Sequence, residues 1–181
     1  MARSAAPVPV DRRLDRRLEQ RAEELGTVPS VRVGIDLVEV DDVAESVRRF
    51  GDRYLNRIFT PHELASCRTE RGASAPGVAY SAESLAARFA AKEAVVKVLR
   101  PVGARPEWRT IEVHRSDAGW CEIRLSGRAA GLAAEARLAD FTVSLTHEST
   151  MAVAIVMATV REPARIAAAT EPGITSEPRK A

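Results

Sequence analysis

The segment RFAAKEAVVKVLR, residues 88 to 100, places charged side chains in a helix that otherwise contains Ala, Val, Leu and Phe. Phe89, Val96 and Leu99 recur at helical spacing, which predicts an apolar stripe that is buried in the folded chain. Four charged residues must then lie beside this stripe. They are Arg88, Lys92, Glu93 and Lys97.

A solvated helix face is the simplest interpretation of these charges. Glu93 precedes Lys97 by four residues, which is the favourable order for an ion pair within a helix. Such a pair contributes only about 0.2–0.5 kcal/mol to the stability of a helix. Helical pairs of this kind are common, so the four charges alone do not define a functional site.

Length and charge limit the classes of protein to consider. The chain has 181 residues, which suits one domain of about 100–150 residues with extensions. Its 27 Lys and Arg residues are nearly balanced by 25 Asp and Glu residues, and the formal net charge is +2. No strong overall field therefore favours nucleic acid as a partner.

Cysteine content and hydropathy predict a soluble cytoplasmic protein. The two cysteines, Cys67 and Cys121, are too few for a disulfide framework and form no Cys/His ligand cluster. No apolar run approaches the roughly 20 residues that a membrane-spanning helix needs. The opening residues MARSAAPVPV also lack the apolar centre of a signal peptide.

The chain divides into three parts. Residues 1–30 form a charged extension with one predicted helix, whose narrow apolar stripe contains Leu14, Leu18 and Leu25. Residues 31–160 carry all the other periodic segments and form the predicted domain. Residues 161–181 contain prolines and charges without periodicity, which predicts a disordered tail.

Within the domain, the pattern predicts an α+β fold with a small antiparallel sheet and helices packed on one face. VRVGIDLVEV is a predicted strand, followed by a helix capped by Asp41 or Asp42 that ends near Phe50. In TPHEL, Thr60 and Glu63 predict a capping box for a helix to about residue 71. A helix capped at residue 81, a hairpin around residues 117–119, a helix from residue 127 and strands at 141–147 and 151–160 complete the prediction.

Asp36 lies in the middle of the first apolar strand, on the same side as Gly34 and Val38. An ionised side chain there needs a cation, because desolvating an unpaired carboxylate costs several kcal/mol. One interpretation is a salt bridge to a helix Arg or Lys. The other is a Mg²⁺ ion held by Asp36 and Glu93, with water and phosphate oxygens as further ligands. The basic residues of the helix then bind a polyanionic substrate.

The motifs that follow one another along the chain resemble those of the holo-acyl carrier protein synthase family, the small phosphopantetheinyl transferases. The resemblance runs from about residue 31 to residue 160. The segments that carry it are VGIDLVEV, RIFTPHEL, LAARFAAKEAVVKVL, WxxIEV, GxxxIxLSGxA and VSLTHE.

The resemblance implies a Mg²⁺-dependent transfer of 4′-phosphopantetheine from coenzyme A to a serine of an apo carrier protein, with release of adenosine 3′,5′-bisphosphate. Asp36 and Glu93 match the metal-binding carboxylates, and Lys97 matches the lysine at the reacting diphosphate. Arg88 and Lys92 match positions that face the coenzyme's phosphates, and His147 matches the histidine of the coenzyme site. The implied catalytic residues are Glu93, Lys97 and His147.

Two details of this site stay open at the level of sequence. The serine proton needs an acceptor, which can be Glu93, a metal-bound water or the region of His147 and Glu148. Glu39 lies three residues after Asp36, on the opposite side of an ideal strand. It reaches the metal only if the strand ends or bulges there.

A basic surface follows the first strand and suits the acidic carrier proteins of this chemistry. It contains Arg48, Arg49, Arg53 and Arg57. Alternatively, Arg48 and Arg49 simply favour the negative end of their helix. The chain departs from the family that it resembles at Asp41 and Asp42, because members of that family commonly carry a basic residue just after the first strand.

The strand MAVAIVMATV is apolar on both sides, whereas the helices of so small a domain cover one face of the sheet. The resemblance implies a homotrimer in which three sheets pack together and each coenzyme site lies between neighbouring subunits. The alternative is a monomer whose N-terminal helix covers the second face.

Two rival functions use the same residues: a non-catalytic module that binds carrier protein or coenzyme A, and a Mg²⁺-dependent diphosphate hydrolase.

Overall fold

A five-stranded antiparallel sheet with one long helix lying across it forms the centre of the fold. The computed structural model describes residues 30–69 and 80–161, so the predicted N-terminal helix and C-terminal tail lie outside the described residues. The elements are β1 (Val31–Glu39), α1 (Val40–Phe50), α2 (Asp52–Ile58), α3 (Pro61–Ser66), α4 (Ala82–Leu99), a 3₁₀ turn (Trp108–Thr110), β2 (Ile111–Arg115), β3 (Cys121–Leu125), α5 (Gly127–Glu135), β4 (Leu138–His147) and β5 (Met151–Val160). The strand order is β1-β5-β4-β3-β2.

Helix α4 is enclosed by the sheet on one side and by α1, α2 and α3 on the other. Ala90, Ala91 and Ala94 are fully buried, and the first two pack with Ala154 of β5. Leu85 at the start of the helix belongs to a second cluster with residues of α1 and α2. The helix is therefore buried on nearly all sides, more widely than the single stripe that periodicity predicts.

The two faces of β5 have different surroundings. Ala152, Ala154, Val156 and Ala158 are buried beneath the helices, whereas alternate residues face the other way. On that opposite face, large apolar side chains of β1 and β5 remain 39–59% exposed. They are Val31, Val33, Ile35, Leu37, Ile155 and Met157. The predicted α+β fold with helices on one sheet face is thus confirmed, and an apolar surface is left on the other face.

Two of the three predicted side-chain caps are present. Thr60 Oγ1 accepts from the Glu63 N–H at 3.3 Å, while Glu63 Oε2 accepts from the Thr60 N–H at 2.8 Å, which completes a capping box. Ser81 Oγ accepts from the Ser84 N–H at 3.0 Å and caps α4. Helix α3 ends at Ser66, earlier than predicted, because Cys67 is buried and its carbonyl accepts from the Ser81 N–H at 2.9 Å.

Two further predicted boundaries differ from the structure. Helix α1 begins at Val40 with Glu39 as its N-cap residue, so Asp41 and Asp42 lie in its first turn and do not cap it. Helix α5 ends at Glu135, and β4 starts at Leu138, three residues before the predicted strand. Leu138 pairs with Val160, and an irregularity between residues 139 and 142 interrupts the register. Alternation of apolar residues does not continue through such a bulge.

The prediction that the chain has no membrane-spanning helix can be compared only with the helices in the described ranges. None of these is long and apolar enough to cross a bilayer.

Candidate active site

Asp36 and Lys97 form a direct ion pair between β1 and α4. Asp36 lies on the same side of β1 as Gly34 and Val38, as the strand alternation predicts, and this is the side that packs against α4. The Lys97 Nζ donates to Asp36 Oδ1 at 2.7 Å and to the Ile35 carbonyl at 2.7 Å. The Asp36 side chain is 17% exposed and the Lys97 side chain 52% exposed. The predicted need of Asp36 for a cation is therefore met within the chain by a helix lysine.

Glu93 lies one helical turn before Lys97 but pairs with a different cation. Its Oε2 is 3.5 Å from Nη1 of Arg105, and the Glu93 side chain is 22% exposed. A Glu93–Lys97 pair is absent from the ion pairs of the described residues. Burial raises the pKa of the Glu93 carboxyl; the Arg105 guanidinium lowers it, and the nearby Asp36 carboxylate raises it further. Asp36 and Glu93 thus share one electrostatic environment.

These two carboxylates line one cavity of about 540 Å³. Glu39, the last residue of β1, lines the same cavity. Asp42 of α1 and Arg105 contribute further charge.

The cavity offers an oxygen donor set that fits Mg²⁺. Among the described residues, no group of three or more His, Cys, Asp or Glu side chains is arranged to hold a metal ion. Mg²⁺ does not require such a group, because it keeps several waters and is commonly bound by one or two carboxylates and substrate phosphates. Asp36 and Glu93 provide the two carboxylates, and the cavity has room for the other ligands.

Arg88 and His147 line a second cavity of about 370 Å³. Arg88 is only 5% exposed, and its Nη1 donates to the Ser84 carbonyl at 3.1 Å. Its Nε has no hydrogen-bond partner among the described residues. A buried guanidinium with an unused donor favours an anionic ligand. Arg115 and the exposed Trp120 lie on the same lining.

The two cavities share no lining residue in one chain. Asp36 is on β1, whereas His147 ends β4, and β5 separates these strands in the sheet. The structure therefore brings Asp36, Glu93 and Lys97 together in one place and Arg88 and His147 together in another.

Lys92 lies elsewhere than the resemblance implies. Its side chain is completely buried, and its Nζ is 2.9 Å from Glu63 Oε2. The ammonium also donates to the Trp108 carbonyl at 2.9 Å and to the Ile111 carbonyl. Burial lowers the pKa of Lys92, and the Glu63 carboxylate opposes this effect. A contact between Lys92 and the phosphates of a coenzyme does not fit this position, because its three donors are used inside the core.

Glu63 and Arg105 are the residues whose importance the sequence does not reveal. Glu63 caps α3 as predicted, but it also accepts from the Val113 N–H at 2.9 Å and pairs with Lys92. A buried lysine in a helix is a signal that a buried carboxylate is needed, although it does not say which one. Arg105 lies in a loop, where no periodicity gives a direction for its side chain.

The four arginines of the predicted docking surface are all exposed. Arg48 and Arg49 lie in the last turn of α1, and Arg53 and Arg57 lie on α2. Arg48 is paired with Glu45 of the same helix. The Arg49 guanidinium lies 5.1 Å from the centre of the Phe50 ring. A basic surface is available at this corner of the domain, while one of its charges is partly neutralised.

Comparison with known proteins identifies the family. The sequence model of the 4′-phosphopantetheinyl transferase superfamily matches residues 32–156. The holo-[acyl-carrier-protein] synthase of Chloroflexus aggregans is 41% identical over 137 residues, which cover 70% of this chain and 94% of that protein.

Solved structures show the same likeness. The ACPS–CoA complex from Chronobacterium ammoniagenes is 26% identical, with a TM-score of 0.60, and the match covers 74% of this chain and 99% of that one. The acyl carrier protein synthase of Mycobacterium tuberculosis is 34% identical, with a TM-score of 0.53, and the match covers 75% of this chain and 100% of that one.

The chain belongs to the 4′-phosphopantetheinyl transferase superfamily, since the family model spans most of the domain and the fold agrees. Its identity to curated relatives over most of their length assigns it to the holo-[acyl-carrier-protein] synthases, which are enzymes. The predicted family, fold class and enzyme class are confirmed.

Proposed function

We propose that this protein transfers 4′-phosphopantetheine from coenzyme A to a serine of an apo acyl or peptidyl carrier protein in a Mg²⁺-dependent reaction. The observation that carries the proposal is the cavity that Asp36 and Glu93 both line. Lys97 pairs with Asp36, and Arg105 pairs with Glu93. Carboxylates for a divalent metal beside cations for phosphates are the side chains that phosphoryl transfer requires.

The reaction exchanges one phosphorus–oxygen bond for another. The serine hydroxyl oxygen bonds to the phosphorus that carries pantetheine, and the bond from that phosphorus to the bridging oxygen of the diphosphate breaks. The electron pair of the broken bond leaves with adenosine 3′,5′-bisphosphate. When bound, Mg²⁺ supplies Lewis-acid polarisation of the diphosphate. Lys97, within reach of Asp36, offsets negative charge on the departing phosphate.

The serine proton must be accepted in the same step. The chain offers Glu93 at the first cavity and His147 at the second, with Glu148 next to His147 in the sequence. Both Glu93 and His147 are side chains of the kind that act as general bases.

Coenzyme A fits the second cavity through its phosphates and its base. Arg88 and Arg115 provide positive charge, and His147 adds a hydrogen-bonding ring. The relative from Chronobacterium ammoniagenes forms a complex with coenzyme A, which supports the same co-substrate for this chain. Lys92 takes no direct part in this binding.

A homotrimer resolves the separation of the two cavities. The exposed apolar face of β1 and β5 supplies a surface for assembly. If the neighbouring subunit brings its His147 cavity against the Asp36–Glu93 cavity, one complete site forms at each interface. The four exposed arginines of α1 and α2 then provide the surface on which an acidic carrier protein docks. A cytoplasmic location remains a prediction from the sequence.

The nucleotide product tests this proposal. The protein is incubated with coenzyme A and an apo carrier protein, and the nucleotides are separated by chromatography with Mg²⁺ present or removed by a chelator. The proposal expects adenosine 3′,5′-bisphosphate in equal amount to modified carrier, and neither product without Mg²⁺. Bisphosphate with free phosphopantetheine, formed without a carrier, would instead identify a hydrolase.

A further inference from the structure

Arg105 lies at the first cavity without belonging to the residues that the family resemblance implies. It extends from the loop between α4 and the 3₁₀ turn, and its side chain is 64% exposed. Its Nη1 is 3.5 Å from Oε2 of Glu93, and it lines the cavity together with Asp36. Its guanidinium therefore lies beside Glu93, at the cavity that Asp36 also lines.

The backbone around Arg105 is held on both sides. The Ala104 carbonyl accepts from Nη2 of Arg128 at 3.1 Å, and Pro106 is buried. The position of the Arg105 backbone is thus defined, while its long side chain extends into solvent. An exposed ion pair of this length is weak, so the guanidinium can leave Glu93 at little cost.

Each carboxylate of the cavity is neutralised by a cation of the chain itself. Lys97 pairs with Asp36, and Arg105 pairs with Glu93. A divalent cation that takes both carboxylates must compete with these two side chains. Once displaced, both cations stand beside the metal, where the phosphates of a substrate bind. A guanidinium is well suited to that position because it forms two parallel hydrogen bonds with a phosphate.

We propose that Arg105 is a phosphate-binding residue that neutralises Glu93 in the ligand-free protein and moves to the diphosphate of coenzyme A when Mg²⁺ occupies the cavity. The identity of the substrate rests on the proposed function. The exchange of partners by Arg105 goes beyond the proposed function. It means that the Arg105 side chain opposes Mg²⁺ binding and favours coenzyme A binding.

The test measures binding by isothermal titration calorimetry, which needs no turnover. In Arg105→Gln, Mg²⁺ binding to the coenzyme-free protein should strengthen roughly threefold, because a competing cation is removed. Coenzyme A binding at saturating Mg²⁺ should weaken about tenfold, the loss expected for one charge-assisted hydrogen bond. Arg105→Lys should bind coenzyme A with intermediate affinity, because it keeps the charge and loses the fork geometry.

Arg100→Gln is the matched control. Arg100 belongs to the same loop and the substitution removes the same charge, but Arg100 lines a different cavity with Arg32 and Leu99. Both affinities should stay at their wild-type values. Equal effects of Arg100→Gln and Arg105→Gln would overturn the proposal, because they would reflect overall charge. Thermal unfolding of each variant verifies that the domain is folded.

The outcomes separate this inference from the proposed function. A wild-type protein that binds Mg²⁺ and coenzyme A with the expected Arg105 effects, but modifies no carrier, would leave Arg105 assigned and contradict the transferase proposal. Carrier modification by wild type together with unchanged affinities in Arg105→Gln would overturn the role of Arg105 alone. Absence of coenzyme A binding by the wild type would overturn both.

Discussion

The backbones of β1 and α4 touch at Gly34 and Ala94. A Cβ atom at Gly34 would lie 2.1 Å from the Ala94 carbonyl oxygen, which is part of the helix backbone and has no freedom to rotate away. Asp36 and Glu93 extend from these same two elements. The close approach of strand and helix therefore determines how near the two carboxylates of the candidate site are.

Gly34→Ala should destabilise the domain and weaken Mg²⁺ binding together. Forcing a methyl group into a packed core costs roughly 1–3 kcal/mol, and here the strand and helix must separate to admit it. Gly131→Ala in α5 is the control, because nothing lies within 4 Å of its added Cβ. That change should stabilise the helix by about 0.5–1 kcal/mol. Urea unfolding and Mg²⁺ titration of both variants measure the effects, and a neutral Gly34→Ala would contradict the packing.

Lys92→Met should lower the free energy of unfolding by about 3–5 kcal/mol, because it leaves the Glu63 carboxylate buried without its cation. The double variant Lys92→Met with Glu63→Gln removes both charges and should recover much of this loss. Urea unfolding compares the three proteins. If Lys92→Met alone is as stable as wild type, Lys92 is not the buried partner of Glu63.

Glu93→Gln should impair Mg²⁺ binding and transfer without loss of stability at pH 7. Burial raises the pKa of Glu93, so the folded protein favours the protonated carboxyl. The contribution of Glu93 to the free energy of unfolding therefore falls as the pH rises from the pKa of this carboxyl in the unfolded chain to its higher pKa in the folded protein. Glutamine removes that effect. The variant should be at least as stable as wild type at pH 7, and the difference should vanish below about pH 4.

Thermal unfolding at the two pH values and a Mg²⁺ titration provide the measurements. A variant that is less stable than wild type at pH 7 but equal at low pH would mean that the pair with Arg105 outweighs burial. Transfer at the wild-type rate under limiting Mg²⁺ would show that Glu93 is not a metal ligand.

The sequence predicts the elements of this fold better than it predicts the partners of its buried charges. Alternation placed Asp36 on the same side of β1 as Gly34 and Val38, and the Thr60 and Ser81 caps marked two helix starts. These features depend on local chemistry. Lys92, by contrast, pairs with Glu63, which is 29 residues away in sequence and belongs to another helix. Such a pairing depends on how the helices pack, which periodicity does not encode.

In the candidate site, too, the sequence predicts some residues and gives no indication of others. The resemblance named Asp36, Glu93 and Lys97. In the structure Asp36 and Glu93 line one cavity, and Lys97 pairs with Asp36. The resemblance gave no indication of Arg105, because a loop residue has no periodic pattern to orient it. The bulge in β4 likewise follows from pairing with β5, which sequence alternation within β4 alone does not reveal.

Mixed assembly tests whether the two cavities cooperate across subunits. Asp36→Ala and His147→Ala chains should each be inactive alone and should regain part of the activity when they are unfolded and refolded together. The regained activity reflects interfaces at which one chain supplies His147 and the other supplies Asp36. Light scattering on a size-exclusion column should give the mass of a trimer. A monomeric mass, or no activity in the mixture, would contradict the shared site.

The most direct test of the transferase account is the intact mass of an apo acyl carrier protein after incubation with this protein, coenzyme A and Mg²⁺. The matched substrate is the same carrier with its acceptor serine replaced by alanine. The account predicts that the carrier gains the mass of one 4′-phosphopantetheine group, and that the alanine carrier gains none. An unchanged mass across several apo carriers, with coenzyme A bound by the protein, would contradict it.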